Sequence, residues 1–178
     1  MIYLLLAAGF EESEALVPLD LLRRAGLTVK TVAITADPVT GSHGVTVLSD
    51  INADAATEPI DLLILPGGMP GTKNLDASPH VDRLLENTQS DGGRIAAICA
   101  APMVLGKRGL LRGKRATCYP GFEENLKGAL LCGDGVVTDG KCITAKGAGV
   151  TQSFAFAIVQ ALVDEQTAQK LRSEMQCQ

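Results

Sequence analysis

Aromatic side chains are scarce in this chain of 178 residues, which has no tryptophan, two tyrosines and four phenylalanines. An aliphatic core is therefore expected, and the 19 glycines predict many tight turns, a combination typical of α/β proteins. Runs of lysine or arginine are also missing and the net charge is −4, so the sequence predicts binding to neither nucleic acid nor an anionic membrane. No apolar run approaches the roughly 18 residues that a membrane-spanning helix needs.

Metal-binding and disulfide patterns are absent as well. The chain has two histidines and an odd number of cysteines without a CxxC pair, so it predicts neither a zinc site nor a disulfide framework. Its apolar start lacks the basic residues of a signal peptide and runs directly into two glutamates, which favours a buried first strand. We therefore expect a soluble cytoplasmic protein with reduced thiols. Cysteines expected in the core are Cys118, Cys132 and Cys142, and Cys177 is expected in an exposed tail.

The length fits a single domain spanning residues 1–178, in which short aliphatic strands alternate with amphipathic helices. Parallel neighbours need helical crossovers, so this alternation predicts a mostly parallel, doubly wound sheet with helices on both faces. Residues 43–49 are expected to form an extended hairpin or excursion. The predicted strands are 2–7, 29–34, 61–65, 94–98, 115–118, 136–137 and 142–145, and the predicted helices are 15–25, 81–88, 100–107, 151–162 and 165–175.

The ligand crevice of a doubly wound sheet lies at the carboxyl ends of its strands. The residues that determine function are therefore expected in the segments that directly follow the strands. These segments are 9–14, 66–71, 99–102, 119–120 and 147–149.

Cys99 stands where a strand ends abruptly in a helix whose first turn contains Pro102. Ala97 and Ala101 flank it in an A-x-C-x-A pattern, which resembles the G-x-S-x-G nucleophile elbow. The nearby helix N-terminus favours a thiolate over a thiol, because its free N–H groups stabilise negative charge. Two interpretations stay open from the local sequence: a reactive nucleophile, or the small buried hydrophobe that most free cysteines are.

Three carboxylates follow the first strand within the segment Glu11–Glu14. Acids in a first helical turn commonly compensate the helix dipole, and that is one interpretation. Pro18, however, cannot donate to the carbonyl of Glu14, so the helix is irregular there. A carboxyl group turned into the crevice at this point would be desolvated, with a raised pKa, and could share a proton with the Cys99 thiol.

A glycine-rich turn at 66–71 follows another strand and exposes backbone N–H groups. Together with the Ala100 N–H, the Gly68 N–H could form an oxyanion hole beside Cys99. An ordinary glycine turn explains the same residues equally well. Because neither the GxGxxG nor the GxxxxGK[ST] spacing occurs, no nucleotide cofactor is predicted.

Taken in order, these motifs closely resemble the ThiJ/PfpI superfamily over essentially the whole chain. Within it, the sequence looks like the branch of the parkinsonism-associated protein DJ-one and its bacterial relatives. The ordered set is far more specific than any one motif. The residues that carry the resemblance are Glu11–Glu14 with Pro18 and Asp20, Leu65–Gly68, Ala96–Pro102, and Gly147–Gly149 before a helix rich in Phe and Ala.

The resemblance implies a flavodoxin-like three-layer α/β/α sandwich that works as a homodimer without a cofactor. It also implies that Cys99 is the nucleophile and Glu14 its protonated acid partner, with backbone N–H groups supplied by Gly68 and Ala100. Members of the superfamily have been assigned glyoxalase activity on methylglyoxal, protein deglycase activity, and redox-sensing or chaperone roles through cysteine oxidation. The superfamily's historical label, a thiazole monophosphate step of thiamin biosynthesis, has no explanation in this sequence.

Three positions depart from the superfamily's patterns. Protease-like members have histidine directly after the cysteine, where this chain has Ala100, so peptidase activity is not expected. A histidine often precedes the proline that is Pro120 here, and Tyr119 stands in its place, which argues against an imidazole proton shuttle. The Gly-Pro-Gly of many relatives reads Gly-Ala-Gly at 147–149. Residues expected to line the pocket are Gly67, Tyr119, Gly147 and Ala148.

Two hypotheses of different classes follow. The first is a cysteine-dependent glyoxalase or deglycase that acts on small reactive dicarbonyls such as methylglyoxal. The second is a redox-responsive stress-protection protein or chaperone that works through oxidation of Cys99 to a sulfinic acid. A phosphoacceptor receiver is not expected, because the strand that should supply its aspartate ends in Pro66-Gly67-Gly68.

Overall fold

The computed structural model describes residues 1–177 and has a central seven-stranded sheet between two layers of helices. Its central strands are continuous aliphatic runs, as expected for parallel strands that are covered on both faces. The strands are β1 (Ile2–Leu6), β2 (Val29–Ala33), β3 (Val39–Thr40), β4 (Thr46–Val47), β5 (Ile51–Asn52), β6 (Leu62–Leu65), β7 (Arg94–Ile98), β8 (Arg115–Ala116), β9 (Leu130–Leu131), β10 (Val136–Asp139) and β11 (Cys142–Ala145). The helices are α1 (Glu12–Arg24), α2 (Gly71–Asp76), α3 (Pro79–Ser90), α4 (Pro102–Lys107), α5 (Thr151–Leu162) and α6 (Glu165–Glu174).

The strand order is β10-β11-β7-β6-β1-β2-β5, and every neighbouring pair is parallel except the antiparallel pair β10–β11. The prediction of a mostly parallel, doubly wound α/β/α sandwich is confirmed. Strands β1, β6 and β7 lie side by side, so the segments that follow them emerge at the same edge of the sheet. This topology places the Gly9–Glu14 segment, the glycine turn at 66–71 and Cys99 next to one another.

Alternate side chains of each strand point into different helical layers. On one face, Leu4 and Ile64 pack with apolar residues of α1, α5 and α6. On the opposite face, Tyr3 and Leu63 pack with apolar residues of α2, α3 and α4. The sheet therefore separates two aliphatic cores and holds the helices that flank the crevice.

Some elements differ from the sequence-based expectation. Helix α2 and strands β5 and β9 were not predicted, because each is too short to show a hydrophobic period. The strand predicted at 115–118 is shorter: β8 has two residues and pairs with β9 outside the main sheet. The excursion predicted at 43–49 overlaps the antiparallel hairpin formed by β3 and β4, which is also outside the main sheet.

The cysteines follow the expectation in part. Cys118 and Cys142 are buried as predicted, with 4% and 6% of their surfaces exposed. Cys132 is partly exposed, so its predicted core position is wrong; it follows β9, whose two leucines are themselves exposed. Cys177 is partly exposed. Within residues 1–177, no helix has both the length and the apolar character needed to cross a membrane.

Candidate active site

Cys99 occupies a sharp turn between β7 and α4, where its backbone is left-handed with a φ of 64°. Gln176 is the only other non-glycine residue with positive φ in the described part of the chain. Two hydrogen bonds hold the turn: the Cys99 N–H donates to the Ala145 carbonyl at 2.9 Å, and the Tyr119 N–H donates to the Cys99 carbonyl at 2.8 Å. Because this conformation is unfavourable for a residue with a Cβ, the surrounding structure must impose it.

The two alanines of the elbow pattern lie inside the protein. Ala97 and Ala101 are both fully buried, and the Ala101 N–H closes the turn by donating to the Ile98 carbonyl at 3.0 Å. Larger side chains at these positions would overpack the interior. Small residues are therefore a steric requirement of this turn.

Glu14 lies in the first turn of α1 and is only 1% exposed, which is rare for a carboxyl group. Its Oε2 accepts a hydrogen bond from the Gly67 N–H at 2.9 Å. Its Oε1 is buried without a regular hydrogen-bond partner among residues 1–177, although the Cys99 thiol lies close enough to affect the pKa of this carboxyl group. A buried oxygen without an N–H partner is free to exchange a proton with that thiol.

Glycine at position 67 lets the thiol and the carboxyl group come together. A Cβ at Gly67 would lie 2.5 Å from Glu14 Oε2 and 2.6 Å from Cys99 Cβ, closer than side-chain contacts allow. The next residue, Gly68, has a φ of 89°, a region that favours glycine. The glycine turn is therefore fitted to the two acidic groups.

The Cys99–Glu14 pair holds its protons tightly. Burial raises the pKa of Glu14 to about 7, against smaller lowering effects of the Cys99 thiol and the Gly67 N–H. Burial and the Glu14 charge raise the pKa of Cys99 to about 12, against the lowering effects of the Gly68 and Ala100 N–H groups. Because the two groups interact strongly, they titrate as a unit. Both are protonated below a pH of about 7, and the pair shares a single proton above it.

The expectation that the helix N-terminus favours a thiolate at Cys99 is wrong, because the pKa of this thiol is raised and not lowered. The Ala100 N–H does favour negative charge on the sulfur, but burial and the neighbouring carboxylate outweigh it. In addition, α4 begins only at Pro102 and has six residues, so its dipole is small. A thiolate at Cys99 therefore requires that Glu14 carry the proton.

Two backbone donors converge on the Cys99 sulfur. The N–H groups of Gly68 and Ala100, one in the turn after β6 and one in the turn after β7, both lower the pKa of the thiol. Donors fixed in this way can stabilise negative charge that develops on or next to the sulfur. An oxyanion hole is built from donors of this kind.

Tyr119 stands at the mouth of the crevice with half of its surface exposed. With Gly147 and Ala148 it lines an open pocket of about 340 Å³, and its ring approaches the Gly147 Cα so closely that a Cβ there would lie 3.3 Å from it. Because its backbone N–H donates to the Cys99 carbonyl, this pocket lies next to Cys99. The structure thus gathers the predicted site residues at one edge of the sheet: Cys99, Glu14, Gly67, Gly68, Ala100, Tyr119, Gly147 and Ala148.

A second buried glutamate, Glu12, binds the β3–β4 hairpin. Its Oε1 accepts hydrogen bonds from the His43 N–H at 2.7 Å and the Val45 N–H at 3.3 Å, and its Oε2 lies 3.0 Å from His43 Nδ1. The hydrogen bonds to Glu12 outweigh the raising effect of burial and lower its pKa to about 2. Sequence reasoning missed this role, because the partners of Glu12 lie about thirty residues away in the chain and follow no periodic pattern.

Glu12 and His43, together with Glu11, form a cluster of side chains that could ligate a metal ion. Glu11, Glu12 and His43 offer ligand atoms that all lie within 4.8 Å of one another. These groups already have hydrogen-bond partners: Glu12 pairs with His43, and Glu11 Oε2 accepts from the Ser42 hydroxyl at 3.2 Å. We interpret the cluster as the anchor of the hairpin.

Comparison with known proteins identifies a consistent set of relatives. The sequence profile of the DJ-1/PfpI family matches residues 1–161. Protein dj-1beta of Drosophila melanogaster is 38% identical over 171 residues, covering 94% of this chain and 91% of that protein. The glutathione-independent glyoxalase DJR-1.2 of Caenorhabditis elegans is 35% identical over 155 residues, covering 85% and 82%. The structure of oxidized Toxoplasma gondii DJ-1 superposes with a TM-score of 0.93 at 32% identity, covering 98% and 96% of the two chains.

Proposed function

This chain belongs to the DJ-1/PfpI family, and on that premise we propose that it is a glutathione-independent glyoxalase acting on small dicarbonyls such as methylglyoxal. Cys99 serves as the nucleophile and Glu14 as the general acid and base. The reaction needs no cofactor. Protein deglycase activity would use the same pair, because it also begins with attack on a carbonyl carbon.

The observation that carries this proposal is the buried pairing of Glu14 with Cys99. A glyoxalase must move a proton between adjacent carbons, so it needs an acid whose pKa lies near the working pH. Glu14 meets this requirement with a pKa of about 7, an almost fully buried carboxyl group and one oxygen free of N–H donors. The curated relative named as a glutathione-independent glyoxalase supports the assignment by similarity.

The first step forms a hemithioacetal. The Cys99 sulfur bonds to the aldehyde carbon of methylglyoxal while the carbonyl π bond breaks, and the Gly68 and Ala100 N–H groups stabilise the developing oxyanion. That oxygen then takes the proton that the Cys99–Glu14 pair holds. Glu14 is left as a carboxylate beside the new C–S bond.

The later steps move hydrogen and release the product. Glu14 takes the proton from the aldehyde-derived carbon and returns it to the adjacent carbon, while the hydroxyl proton passes to the neighbouring oxygen. One carbon is thereby oxidised to a thioester and the other is reduced to an alcohol, so no external redox agent is needed. Water then cleaves the C–S bond, which releases lactate and a proton and restores the thiol.

Lactate formation from methylglyoxal, measured without glutathione, tests the proposal. We expect Cys99→Ala to lose roughly 10³-fold or more of kcat/KM, because no other group replaces the covalent step. Cys132→Ala is the matched control, since Cys132 is partly exposed and lies outside the site; it should keep wild-type turnover. Full turnover in Cys99→Ala would overturn the proposal.

A second function rests on the same thiol: a redox-responsive protein in which peroxide oxidises Cys99 to a sulfinic acid. The partial exposure of Cys99 and its two N–H donors favour this alternative, because they admit an oxidant and stabilise an oxidised, negatively charged sulfur. Negligible wild-type turnover together with selective oxidation of Cys99 at low peroxide would support it. Peptide-level mass spectrometry, which locates the added oxygen atoms, separates this outcome from oxidation of Cys132 or Cys177.

The proposal also covers the domain organisation, the oligomeric state and the location of the protein. We take residues 1–178 as one domain that works as a homodimer in the cytoplasm and protects against carbonyl or oxidative stress. Support for one domain comes from the packing of α5 and α6 into the same core as α1. Support for the homodimer comes from the superfamily resemblance.

A further inference from the structure

A second pocket lies at the end of the sheet opposite Cys99. It opens at the amino ends of β7 and β11 and has a volume of about 380 Å³, within the usual range for small-molecule sites. Ile95 lies in this pocket, four residues before Cys99 on an extended strand, so the two sites are separated by about 13 Å. Its lining residues are Gln89, Gly93, Ile95, Leu110, Lys114, Gly140, Lys141 and Cys142.

The floor of the pocket is apolar. Ile95 and Cys142 are register partners on neighbouring strands and are 5% and 6% exposed. Leu110 covers them from the side, and its carbonyl lies 3.9 Å from the Cys142 sulfur. A compact hydrocarbon or aromatic group placed here would remove apolar surface from water, which is favourable.

The rim of the pocket is cationic. Lys114 and Lys141 both line it, and no lining residue is acidic. The Lys141 ammonium donates to the Gly92 carbonyl at 2.6 Å, which holds it at the mouth and leaves further N–H groups for a ligand. Within residues 1–177 the Lys114 ammonium has no ion-pair partner, and its charge acts on the Cys142 thiol in the floor.

The charge of Asp139 also acts on the Cys142 thiol, but this carboxylate does not line the pocket and already has a backbone donor. Asp139 precedes the β10–β11 turn, and its Oδ2 accepts a hydrogen bond from the Arg115 N–H at 2.8 Å. The rim therefore combines two positive charges with an apolar floor. That combination complements a molecule with one anionic end and one apolar end.

We propose that this pocket binds a small apolar carboxylate, with the carboxylate between Lys114 and Lys141 and the apolar body on Ile95, Leu110 and Cys142. The site is separate from Cys99 and does not depend on the glyoxalase reaction. A carboxylate group suits the position because each lysine supplies a point charge with several donors. The ligand class is thus an aryl or short-chain alkyl carboxylate.

Titration of the ¹⁵N-labelled full chain with 4-fluorophenylacetate tests this binding by NMR. We expect saturable shifts at the amides of Gly93, Gly140 and Cys142 and none at Gly67 or Ala100. The matched amide, 4-fluorophenylacetamide, lacks the charge and should bind about ten-fold more weakly. Acetate lacks the apolar body and should bind at least about ten-fold more weakly.

Charge-removing variants locate the carboxylate. Lys114→Gln and Lys141→Gln should each weaken binding by roughly two- to five-fold, and both together by about ten-fold, as partly exposed ion pairs do. Lys170→Gln on α6 is the matched control and should bind as the wild type does. Glyoxalase turnover serves as a check on folding and should be unchanged in all three single variants.

Three outcomes would overturn the proposal. One is the absence of saturable shifts in the folded wild-type protein. Another is wild-type affinity in the Lys114→Gln/Lys141→Gln double variant. The third is a set of shifts centred on Gly67 and Ala100, which would place the carboxylate in the crevice of Cys99 instead.

Discussion

Glu12 and Glu14 lie two residues apart on α1 and are both buried, yet their pKa values move in opposite directions. Glu12 has a pKa of about 2 and Glu14 a pKa of about 7, on either side of the ordinary value of 4.5. The difference comes from their surroundings. Glu12 faces the β3–β4 hairpin, which supplies backbone N–H groups and a histidine, whereas Glu14 faces a thiol and receives one N–H group.

The comparison shows that burial alone does not determine how a carboxyl group behaves. A desolvated carboxylate stays ionised when enough donors neutralise it, and takes up a proton when they are missing. The first arrangement is structural, because a permanent charge anchors a hairpin. The second is suited to catalysis, because a proton can leave and return near neutral pH.

The largest expected effect is the loss of activity in Glu14→Gln, and Glu12→Gln is the variant to compare with it. Glu14→Gln should lower kcat/KM for methylglyoxal by about 10²- to 10⁴-fold, because the amide cannot accept or return a proton. Glu12→Gln should leave turnover within a few-fold of the wild type. Steady-state lactate assays on both variants measure the contrast, and equal losses would show that the two glutamates do not have the separate roles assigned here.

Stability should depend on pH in opposite ways at the two positions. Glu14 has its pKa raised from 4.5 to about 7, so its contribution is full below pH 4.5 and is lost as the pH rises to 7, a change of roughly 3 kcal/mol. Glu12 has its pKa lowered to about 2, so its contribution is present above pH 4.5 and is lost as the pH falls to 2.

Urea unfolding of the wild type, Glu14→Gln and Glu12→Gln between pH 2 and 8 measures this difference, because this range covers the pKa values of both glutamates. Glu14→Gln should remove the decline in free energy of unfolding between pH 4.5 and 7. Glu12→Gln should destabilise the protein at pH 7 by about 2 kcal/mol, because charged hydrogen bonds are lost. The same pH dependence in all three proteins would contradict the opposite shifts.

The smallest effect is expected at His43. Its ring is largely exposed, and Glu12 together with Glu11 raises its pKa. The stabilisation it gives should be complete below pH 6.5 and lost as the pH rises through the raised value. In His43→Ala the pKa of Glu12, followed by NMR, should stay below 4.5, since the backbone N–H groups of residues 43 and 45 remain. A normal pKa for Glu12 in that variant would show that the imidazole, rather than the backbone, holds the charge.

Much of the fold could be predicted from the sequence, because its long strands and helices have clear periods. The helix at Thr151–Leu162 was predicted with its observed bounds. The Cys99 elbow was also visible, since a strand, a small-x-Cys-x-small pattern and a proline occur together. Helix α2 and strands β5 and β9 were not visible, because a helix of six residues and strands of two residues are too short to show their hydrophobic periods.

The raised pKa predicted for a carboxyl group in the crevice agrees with Glu14, but the protonation state of the thiol could not be predicted in the same way. A helix N-terminus next to Cys99 suggested a thiolate, but the pKa of the thiol depends on burial and on Glu14, which is 85 positions away in the chain. The role of Glu12 was hidden for the same reason. Local sequence shows which acids are present, whereas the tertiary contacts decide which of them keep their protons.

The left-handed backbone at Cys99 also has a consequence for the stability of the fold. The strain there belongs to the main chain, so every residue with a Cβ carries a cost of about 1–3 kcal/mol and glycine does not. Glycine at position 99 would relieve that strain, so the thiol occupies this turn at a cost to the stability of the fold.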